Sequence, residues 1–343
     1  MFSTEITDLA VLLNGNAKRV TEKVRNAFHG LVRPEDLYFS KSLRDSRTIA
    51  RQVVDKRYKT IVTGGGDGTF STFLSHIHTY MDQAGISDYH PRYGVLRLGT
   101  GNAMAATFGA STFNRENLTR ELFYAANGAA IKDLKFIEVE GRRTPFSGLG
   151  LDAMILNDYN TVKEMMHGTP LQATSKGLLG YWIGLLSMGI PRYVFDKVPE
   201  AVIVNEGSEA WQVDGDGKRV GPLFMKGDVL YKGPVRMVSV SKVPFYGFDL
   251  KLFPYAMVND DRFHLRVHKA SAAEILGYLP SVWKGNYSSE TMFDFLTDSV
   301  SVYLSQPAPF QIGGDGEGWR SYVKFSMDLS PVPMIDFKSN VMM

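Results

Sequence analysis

Two segments of this 343-residue chain follow the same order, an apolar strand, then a glycine-rich turn, then a helix. In the first, residues 58–63 favour a strand, residues 64–69 read Gly-Gly-Gly-Asp-Gly-Thr, and apolar residues then recur at helical spacing as far as Met81. In the second, residues 93–98 favour a strand, residues 99–102 read Gly-Thr-Gly-Asn, and residues 103–108 start a helix. Strands that alternate with helices in this way predict a parallel sheet flanked by helices.

The amino-terminal residues extend this pattern. Residues 8–13 form a mostly apolar run that ends at Asn14, and Val20, Val24 and Phe28 then recur every four residues, as one buried helix face would. We therefore predict an α/β domain over residues 1–130. Residues from about 325 to 343 are a candidate for a return to this domain.

Residues 131–324 have a different sequence pattern. Short strand candidates are separated by turns rich in Gly, Pro, Asn and Asp, which predicts an antiparallel, β-rich second domain. The strand candidates are residues 131–140, 144–154, 201–204, 235–240, 248–252 and 263–267. Helical interruptions are expected within residues 161–188 and around residues 272–283. Because the chain exceeds the size at which single hydrophobic cores stop growing, two domains are the default expectation.

The charge balance excludes one class of partner. The chain carries 38 basic and 36 acidic residues, which is too even to give the broad positive field that nucleic-acid binding needs.

The chain has no cysteine, which suits a reducing cytoplasm and excludes disulfides and thiolate ligands. The first residues lack a secretory signal pattern, and the longest apolar run, residues 177–190, is too short to span a bilayer. We expect a cytoplasmic protein whose contact with a membrane is peripheral.

The first glycine turn is a candidate phosphate site. Glycines let the backbone approach a ligand closely, and the free N–H groups at the start of a helix favour an anion. Asp67 would repel bare phosphate, so its presence indicates a further role, as a base for an incoming hydroxyl or as a contact to magnesium. The alternative is a tight turn in which Asp67 caps the helix. A Walker A pattern is absent, as is the full G-x-G-x-x-G dinucleotide fingerprint with its distal acid.

Several motifs in a fixed order resemble one known family. After the two glycine turns come residues 148–153 (Gly-Leu-Gly-Leu-Asp-Ala), residues 240–247 (Val-Ser-Lys-Val-Pro-Phe-Tyr-Gly), residues 256–263 and a late Asp-Gly-Glu at residues 315–317. This order resembles the diacylglycerol kinase catalytic-domain superfamily, which includes bacterial lipid kinases, diacylglycerol kinases, sphingosine kinases and ceramide kinases. The resemblance implies a fold like that of lipid kinases and NAD kinases, with a C-terminal antiparallel β-sandwich domain and an active site in the cleft between the domains.

The resemblance also implies roles for individual residues. Residues 1–130 would be a nucleotide-binding kinase domain and residues 131–324 a lipid-binding domain, with ATP and Mg²⁺ as cofactors. The catalytic candidates are Asp67, Glu317 and Asp152. The residues implied around the nucleotide are Asn14, Gly64, Gly65, Gly66, Gly68, Thr69, Gly99, Thr100, Gly101, Asn102 and Asp315. The metal ligands stay open, with Asp67, Asp315 and Glu317 as candidates.

These roles imply a lipid kinase that transfers the γ-phosphate of ATP to a lipid hydroxyl, of diacylglycerol, a sphingoid base or ceramide, at a membrane surface. Asn14 departs from the family pattern because Gly15 rather than proline follows it. Ala103 stands where many bacterial diacylglycerol kinases have an acid, whereas sphingosine kinases share the Asn-Ala pair. An NAD kinase-like enzyme and a catalytically silent nucleotide- or lipid-binding protein are the alternatives. The oligomeric state is open, a dimer included.

Overall fold

The computed structural model describes residues 6, 8–151, 153–154, 198–247, 249–270, 274, 278, 281, 283–286 and 289–342. Asp152 lies outside these residues, as do the helix predicted within residues 161–188 and most of the stretch 272–283. The chain divides into two compact units. One comprises Met1–Phe136 with Leu329–Met343, and the other comprises Ile137–Asp328.

The first unit is built around a six-stranded sheet. Its strands are β1 (Leu9–Asn14), β2 (Leu37–Ser40), β3 (Thr60–Gly65), β4 (Arg92–Arg97), β5 (Ile131–Leu134) and the last strand of the chain, β18 (Val332–Ile335). They lie in the order β2-β1-β3-β4-β18-β5, and each neighbouring pair is parallel except β18 with β5. The predicted α/β domain with a mostly parallel sheet is confirmed.

The helices described in this unit begin and end at recognisable signals. They are α1 (Glu22–Ala27), α2 (Leu43–Asp55), α3 (Asp67–Ala84), α4 (Ala103–Thr107), α5 (Arg115–Ala126) and the 3-10 helices Pro34–Asp36 and Phe337–Met342. The side chains of Thr21, Ser42 and Asn114 accept backbone N–H bonds in the first turns of α1, α2 and α5. α3 ends at Ala84 and is followed by its C-cap, Gly85, whose φ of 65° favours glycine. Within the described residues, no helix has both the length and the apolar character that crossing a membrane requires.

The central strands bring part of the predicted site together. Every residue of β3 is buried, and β1 is buried except at Asn14. Because β1, β3 and β4 are parallel neighbours, their carboxyl ends lie at one edge of the sheet. This carboxyl edge carries Asn14, the first glycine turn (residues 64–69) and the second glycine turn (residues 99–102).

The second unit is an antiparallel sheet of twelve strands. They are β6 (Ile137–Val139), β7 (Arg142–Thr144), β8 (Phe146–Gly150), β9 (Glu200–Asn205), β10 (Ala210–Val213), β11 (Arg219–Phe224), β12 (Val229–Pro234), β13 (Met237–Ser241), β14 (Phe263–His268), β15 (Met292–Thr297), β16 (Ser299–Ile312) and β17 (Asp315–Met327). The main path is β11-β10-β15-β14-β13-β8-β16-β17-β6-β7, with β9 beside β16 and β12 beside β9. One cluster of their buried apolar residues includes Phe263, Phe310 and Phe325, and a second contains Val213 of β10 and Leu296 of β15. The predicted antiparallel, β-rich domain is confirmed.

The strand predicted over residues 248–252 is wrong. Gly247 and Leu250 form an isolated bridge, and the N–H of Leu250 donates to the carbonyl oxygen of Gly247 at 2.8 Å, which closes a turn. The φ angles of Gly247 and Asp249 are 138° and 61°, and extended strand backbone does not adopt such values. The strand predicted over residues 144–154 is shorter than expected, because β8 ends at Gly150, where φ is 92°.

A buried ionic cluster joins β14 to β15. Arg266 donates to Asp294 through Nε at 2.7 Å and through Nη2 at 2.9 Å, and Nε2 of His264 lies 2.9 Å from the same carboxylate. Burial alone would raise the pKa of Asp294, but Arg266 and His264 outweigh it and hold that pKa well below its usual range. Burial lowers the pKa of His264. A shift in the register of the two strands would separate these partners and leave a buried charge uncompensated. The cluster therefore favours the observed register, in which Arg266 of β14 lies opposite Asp294 of β15.

Candidate active site

The first glycine turn joins β3 to α3. β3 ends at Gly65, Gly66 is the N-cap, and α3 begins at Asp67. The N–H groups in the first turn of a helix have no acceptor within the helix, so this turn presents donors and the positive end of the helix dipole. Gly66 and the two residues after Asp67 are half-buried, so the turn is accessible from solvent. These features suit the binding of a phosphate group.

The two glycine turns are in backbone contact. A β-carbon on Gly99 would lie 2.4 Å from the Cα of Gly66 and 2.5 Å from the carbonyl oxygen of Gly65, so glycine is required at position 99. A β-carbon on Gly64 would lie 2.4 Å from the side chain of Leu13. The close approach of the turns therefore depends on the absence of a side chain at position 99, and a side chain at position 64 would displace that of Leu13.

Gly66 differs from the glycines around it. The nearest atom to a β-carbon built on Gly66 is the Cα of Gly99, at 3.9 Å, and the φ of Gly66 is −98°, which other residues also adopt. Neither packing nor backbone conformation requires glycine here. A ligand that approaches the backbone closely would give a reason for it.

The second glycine turn joins β4 to α4 and is closed by Asn102. The Oδ1 of Asn102 accepts from the N–H of Gly99 at 2.7 Å, and its Nδ2 donates to the carbonyl oxygen of Gly99 at 2.7 Å. Asn102 has a φ of 61°, a left-handed conformation that asparagine adopts more readily than most residues. Thr100 is exposed and Gly101 is half-buried. The predicted residues of this turn therefore lie together, with Asn102 fixing its shape.

Asp67 connects the two turns. Its Oδ2 accepts from the N–H of Ala103 at 3.0 Å, and its Oδ1 accepts from the N–H of Met104 at 2.8 Å. Only 7% of the residue is exposed. Burial raises the pKa of Asp67, and the bonds from the N–H groups of Met104 and Ala103 oppose that rise. That Asp67 takes a proton from a substrate stays a prediction, while its contact with the start of α4 is observed.

Asn14 ties the end of β1 to the start of α3. Its Nδ2 donates to the hydroxyl oxygen of Thr69 at 3.0 Å, and its Oδ1 accepts from the N–H of Asn16 at 2.9 Å. A β-carbon on Gly65 would lie 2.5 Å from the same Thr69 oxygen, so the Thr69 side chain fills the space beside the first turn. Three predicted site residues, Asn14, Gly65 and Thr69, are thus brought together by the fold.

Two features of this edge were not predicted. Arg25 and Lys41 lie beside the turn after β1, since a β-carbon on Gly15 would be 3.5 Å from Nη2 of Arg25 and 3.3 Å from Cγ of Lys41. These cations favour an anionic ligand nearby, although nothing in their sequence context distinguishes them from surface cations. The N–H groups of Ala103 and Met104 were also missed, because every residue except proline carries such a donor.

The late acidic motif lies at the start of β17, in the second unit. Asp315 is exposed, and Oε1 of Glu317 lies 2.5 Å from Nη2 of Arg142. The contact of Asp315 and Glu317 with a nucleotide and its metal stays a prediction. The catalytic role of Asp152 also stays a prediction, because Asp152 lies outside the described residues.

Comparison with known proteins agrees with the predicted resemblance. Residues 8–130 match the family model of the diacylglycerol kinase catalytic domain. The structure of a diacylglycerol kinase from Bacillus anthracis str. Sterne is similar at 12% identity and a TM-score of 0.59, covering 96% of both chains. A second structure from that organism, whose protein carries the same enzyme name, has 14% identity and a TM-score of 0.62, covering 96% of this chain and 97% of the other. At these identities the similarity shows the fold. No curated protein sequence matches significantly.

Proposed function

The chain belongs to the diacylglycerol kinase catalytic-domain superfamily through residues 8–130, and from this premise we propose that it is an ATP-dependent kinase that phosphorylates a lipid hydroxyl. The observation that carries the proposal is the contact of two glycine turns at the carboxyl edge of a mostly parallel sheet, where a β-carbon built on Gly66 would meet no atom closer than 3.9 Å. Ligands of open α/β sheets bind outside this edge. The kinase family follows from the matched domain, and the lipid acceptor is the proposed part.

The residues at the carboxyl edge suit a nucleoside triphosphate. The first turn of α3 supplies N–H donors, and Gly66 leaves room for a phosphate oxygen close to the backbone. Thr69 and Thr100 supply hydroxyl groups, and Arg25 lies beside the turn after β1. The carboxylate of Asp67 faces N–H groups of α4, which lowers its repulsion of a nearby phosphate.

Magnesium would bind with the nucleotide rather than by itself. Across the part of the chain that the structure describes, no group of three or more His, Asp or Glu side chains could hold a metal ion. In kinase sites Mg²⁺ uses one or two carboxylates together with phosphate oxygens. The carboxylates that the family resemblance offers are Asp67, Asp315 and Glu317. When bound, the ion neutralises negative charge on the β- and γ-phosphates.

The proposed reaction is a single phosphoryl transfer. The oxygen of the lipid hydroxyl forms a bond to the γ-phosphorus while the bond from that phosphorus to the bridging oxygen of ADP breaks. The electron pair of the broken bond leaves with ADP, and the hydroxyl proton is released to water. Such a transfer depends mainly on positioning and on charge neutralisation, and the two glycine turns can supply both.

The acceptor is proposed to be diacylglycerol, a sphingoid base or ceramide, presented at a membrane surface that the protein contacts peripherally. The order of motifs along the chain supports a lipid acceptor in general. The Asn102-Ala103 pair, which resembles sphingosine kinases, favours a sphingoid base.

A direct comparison of acceptors tests the proposal. The protein is incubated with Mg²⁺ and ATP labelled in the γ-phosphate, with vesicles that contain diacylglycerol, sphingosine or ceramide, and in a separate reaction with NAD. We expect label in a phosphorylated lipid and none in NADP. Label in NADP would replace the proposal with the NAD kinase alternative. Binding of ATP without transfer to any acceptor would instead support a silent binding protein.

A further inference from the structure

The short helix α4 lacks an N-terminal cap from its own sequence. Its N-cap residue, Asn102, makes no side-chain bond to the helix, because both polar atoms of that side chain bond to Gly99. α4 has only five residues, and helices of this length are not stable by themselves in water. The start of α4 therefore needs an acceptor from elsewhere in the chain.

Asp67 supplies that acceptor from 36 residues away. Each of its two carboxylate oxygens accepts one N–H of the first turn of α4, from Ala103 and from Met104. The negative charge of a carboxylate at the N-terminus of a helix interacts favourably with the helix dipole. Asp67 is also the first residue of α3, so one residue connects the starts of both helices that follow the glycine turns.

The same contact engages the oxygens that a proton acceptor would use. A general base must come within about 2.6–3.2 Å of the proton-bearing atom of the substrate. Asp67 is buried, and both of its oxygens already accept backbone N–H groups of α4. The geometry therefore favours a role through α4 over a role on the reacting hydroxyl.

We propose, on the basis of the kinase function proposed above, that Asp67 is a positioning residue that holds the second glycine turn in place for the phosphates of ATP. The hydroxyl proton then leaves to water late in the transfer, once the new oxygen–phosphorus bond has made it acidic. This role differs from the catalytic role that the family resemblance implies for Asp67, and the experiments below distinguish the two.

The test uses Asp67→Ala and Asp67→Asn, with Asp82→Asn as a matched control, because Asp82 is an exposed acid on the same helix. The first measurement is amide hydrogen exchange at Ala103 and Met104 in the protein without ligand. We expect exchange about tenfold faster or more in Asp67→Ala. We expect a smaller increase in Asp67→Asn, which keeps one acceptor oxygen, and no change in the control. Unchanged exchange in both Asp67 variants would overturn the proposed contact, whatever the enzyme does.

The second measurement separates positioning from proton transfer. We expect both Asp67 variants to raise the Kd of Mg·ATP about tenfold or more, and the kcat of Asp67→Asn to keep the shape of the wild-type pH profile. An unchanged Kd with a fall in kcat of about 10²–10⁴-fold and loss of the acidic limb would show a general base and overturn the proposal. If the wild type binds no ATP, the proposed function fails, while the exchange data still decide whether Asp67 holds α4.

Discussion

The side-chain amide of Asn14 donates a hydrogen bond of 3.0 Å to the hydroxyl oxygen of Thr69, which lies 55 residues later in the chain. This bond connects the end of β1 with the first turn of α3. It places a neutral amide, rather than a carboxylate, beside the proposed phosphate site. The sequence around Asn14 departs from the family pattern, yet the contact with the first glycine turn is present.

Two substitutions of Asn14 separate the effect of its hydrogen bond from the effect of a negative charge at this position. Asn14→Ala removes the bond, and we expect a loss of about 1 kcal/mol in the free energy of unfolding, measured with urea. Asn14→Asp can still accept a bond from the Thr69 hydroxyl but adds a negative charge. We therefore expect Asn14→Asp to raise the Kd of Mg·ATP more than Asn14→Ala does. The opposite order of Kd values would contradict a phosphate beside Asn14.

Gly66 and Gly99 form a matched pair with opposite expected effects. Gly99→Ala places a methyl group 2.4 Å from backbone, so we expect a loss of about 2–3 kcal/mol in the free energy of unfolding. Gly66→Ala meets no atom closer than 3.9 Å, so we expect stability within about 0.5 kcal/mol of wild type. We nevertheless expect Gly66→Ala to raise the Kd of Mg·ATP, because its methyl group would occupy the space of a phosphate oxygen. An unchanged Kd for Gly66→Ala would count against ATP at this turn.

Glu317 and Arg142 form a partly exposed ion pair. Substitution of each partner in turn distinguishes a structural role of Glu317 from a catalytic one. An ion pair of this kind contributes about 0–1 kcal/mol, so Glu317→Gln and Arg142→Gln should lower stability equally and slightly. If Glu317 also contacts the nucleotide-bound metal, only Glu317→Gln should raise the Mg²⁺ concentration needed for half-maximal phosphate transfer. We expect this difference between the two variants. Equal Mg²⁺ dependence would limit Glu317 to its bond with Arg142.

His268 predicts a loss of stability in mild acid. Burial and the nearby Arg266 lower the pKa of His268 from 6.5 to about 4, against the opposing influence of Glu274 and Asp294. The unfolded chain therefore binds a proton at pH values where the folded protein does not. The free energy of unfolding is therefore not reduced by His268 above pH 6.5, and it decreases as the pH falls from 6.5 towards 4. The expected loss from this residue is up to about 3 kcal/mol.

Urea unfolding between pH 4 and pH 7 measures this dependence, and His268→Gln serves as its control because glutamine does not titrate. We expect a flatter profile for His268→Gln than for the wild type over this range. The same slope in both proteins would show that other groups cause the loss, among them His264, whose pKa is also lowered by burial.

The first unit could largely be predicted from local patterns. The apolar spacing after the first glycine turn predicted a helix, and α3 begins at Asp67 and ends at Ala84. The relation between the turns could not be predicted in the same way. Asp67 accepts hydrogen bonds from the backbone N–H groups of Ala103 and Met104. Such donors cannot be recognised from a sequence, because every residue except proline carries one. The sequence therefore favoured a catalytic reading of Asp67, although a capping role was an open alternative.

The second unit was less predictable because its strands contain residues that disfavour strands. β16 and β17 were not predicted, and they contain two prolines and two glycines, respectively, that weaken the local signal. These residues are Pro307, Pro309, Gly316 and Gly318. β16 pairs with the next strand, β17, and with the distant strands β8 and β9, and this pairing supplies the stability that the local sequence lacks.

Transfer of labelled phosphate into lipid tests the central claim most directly. The wild-type protein and Gly66→Leu are incubated with Mg²⁺, ATP labelled in the γ-phosphate and a total lipid extract of the source cell, and the labelled product is identified by mass. The account predicts a labelled phospholipid with the wild-type protein and at most a trace with Gly66→Leu, because the leucine side chain would fill the space at the first glycine turn. No labelled lipid with a folded wild-type protein, or equal labelling by both proteins, would contradict it.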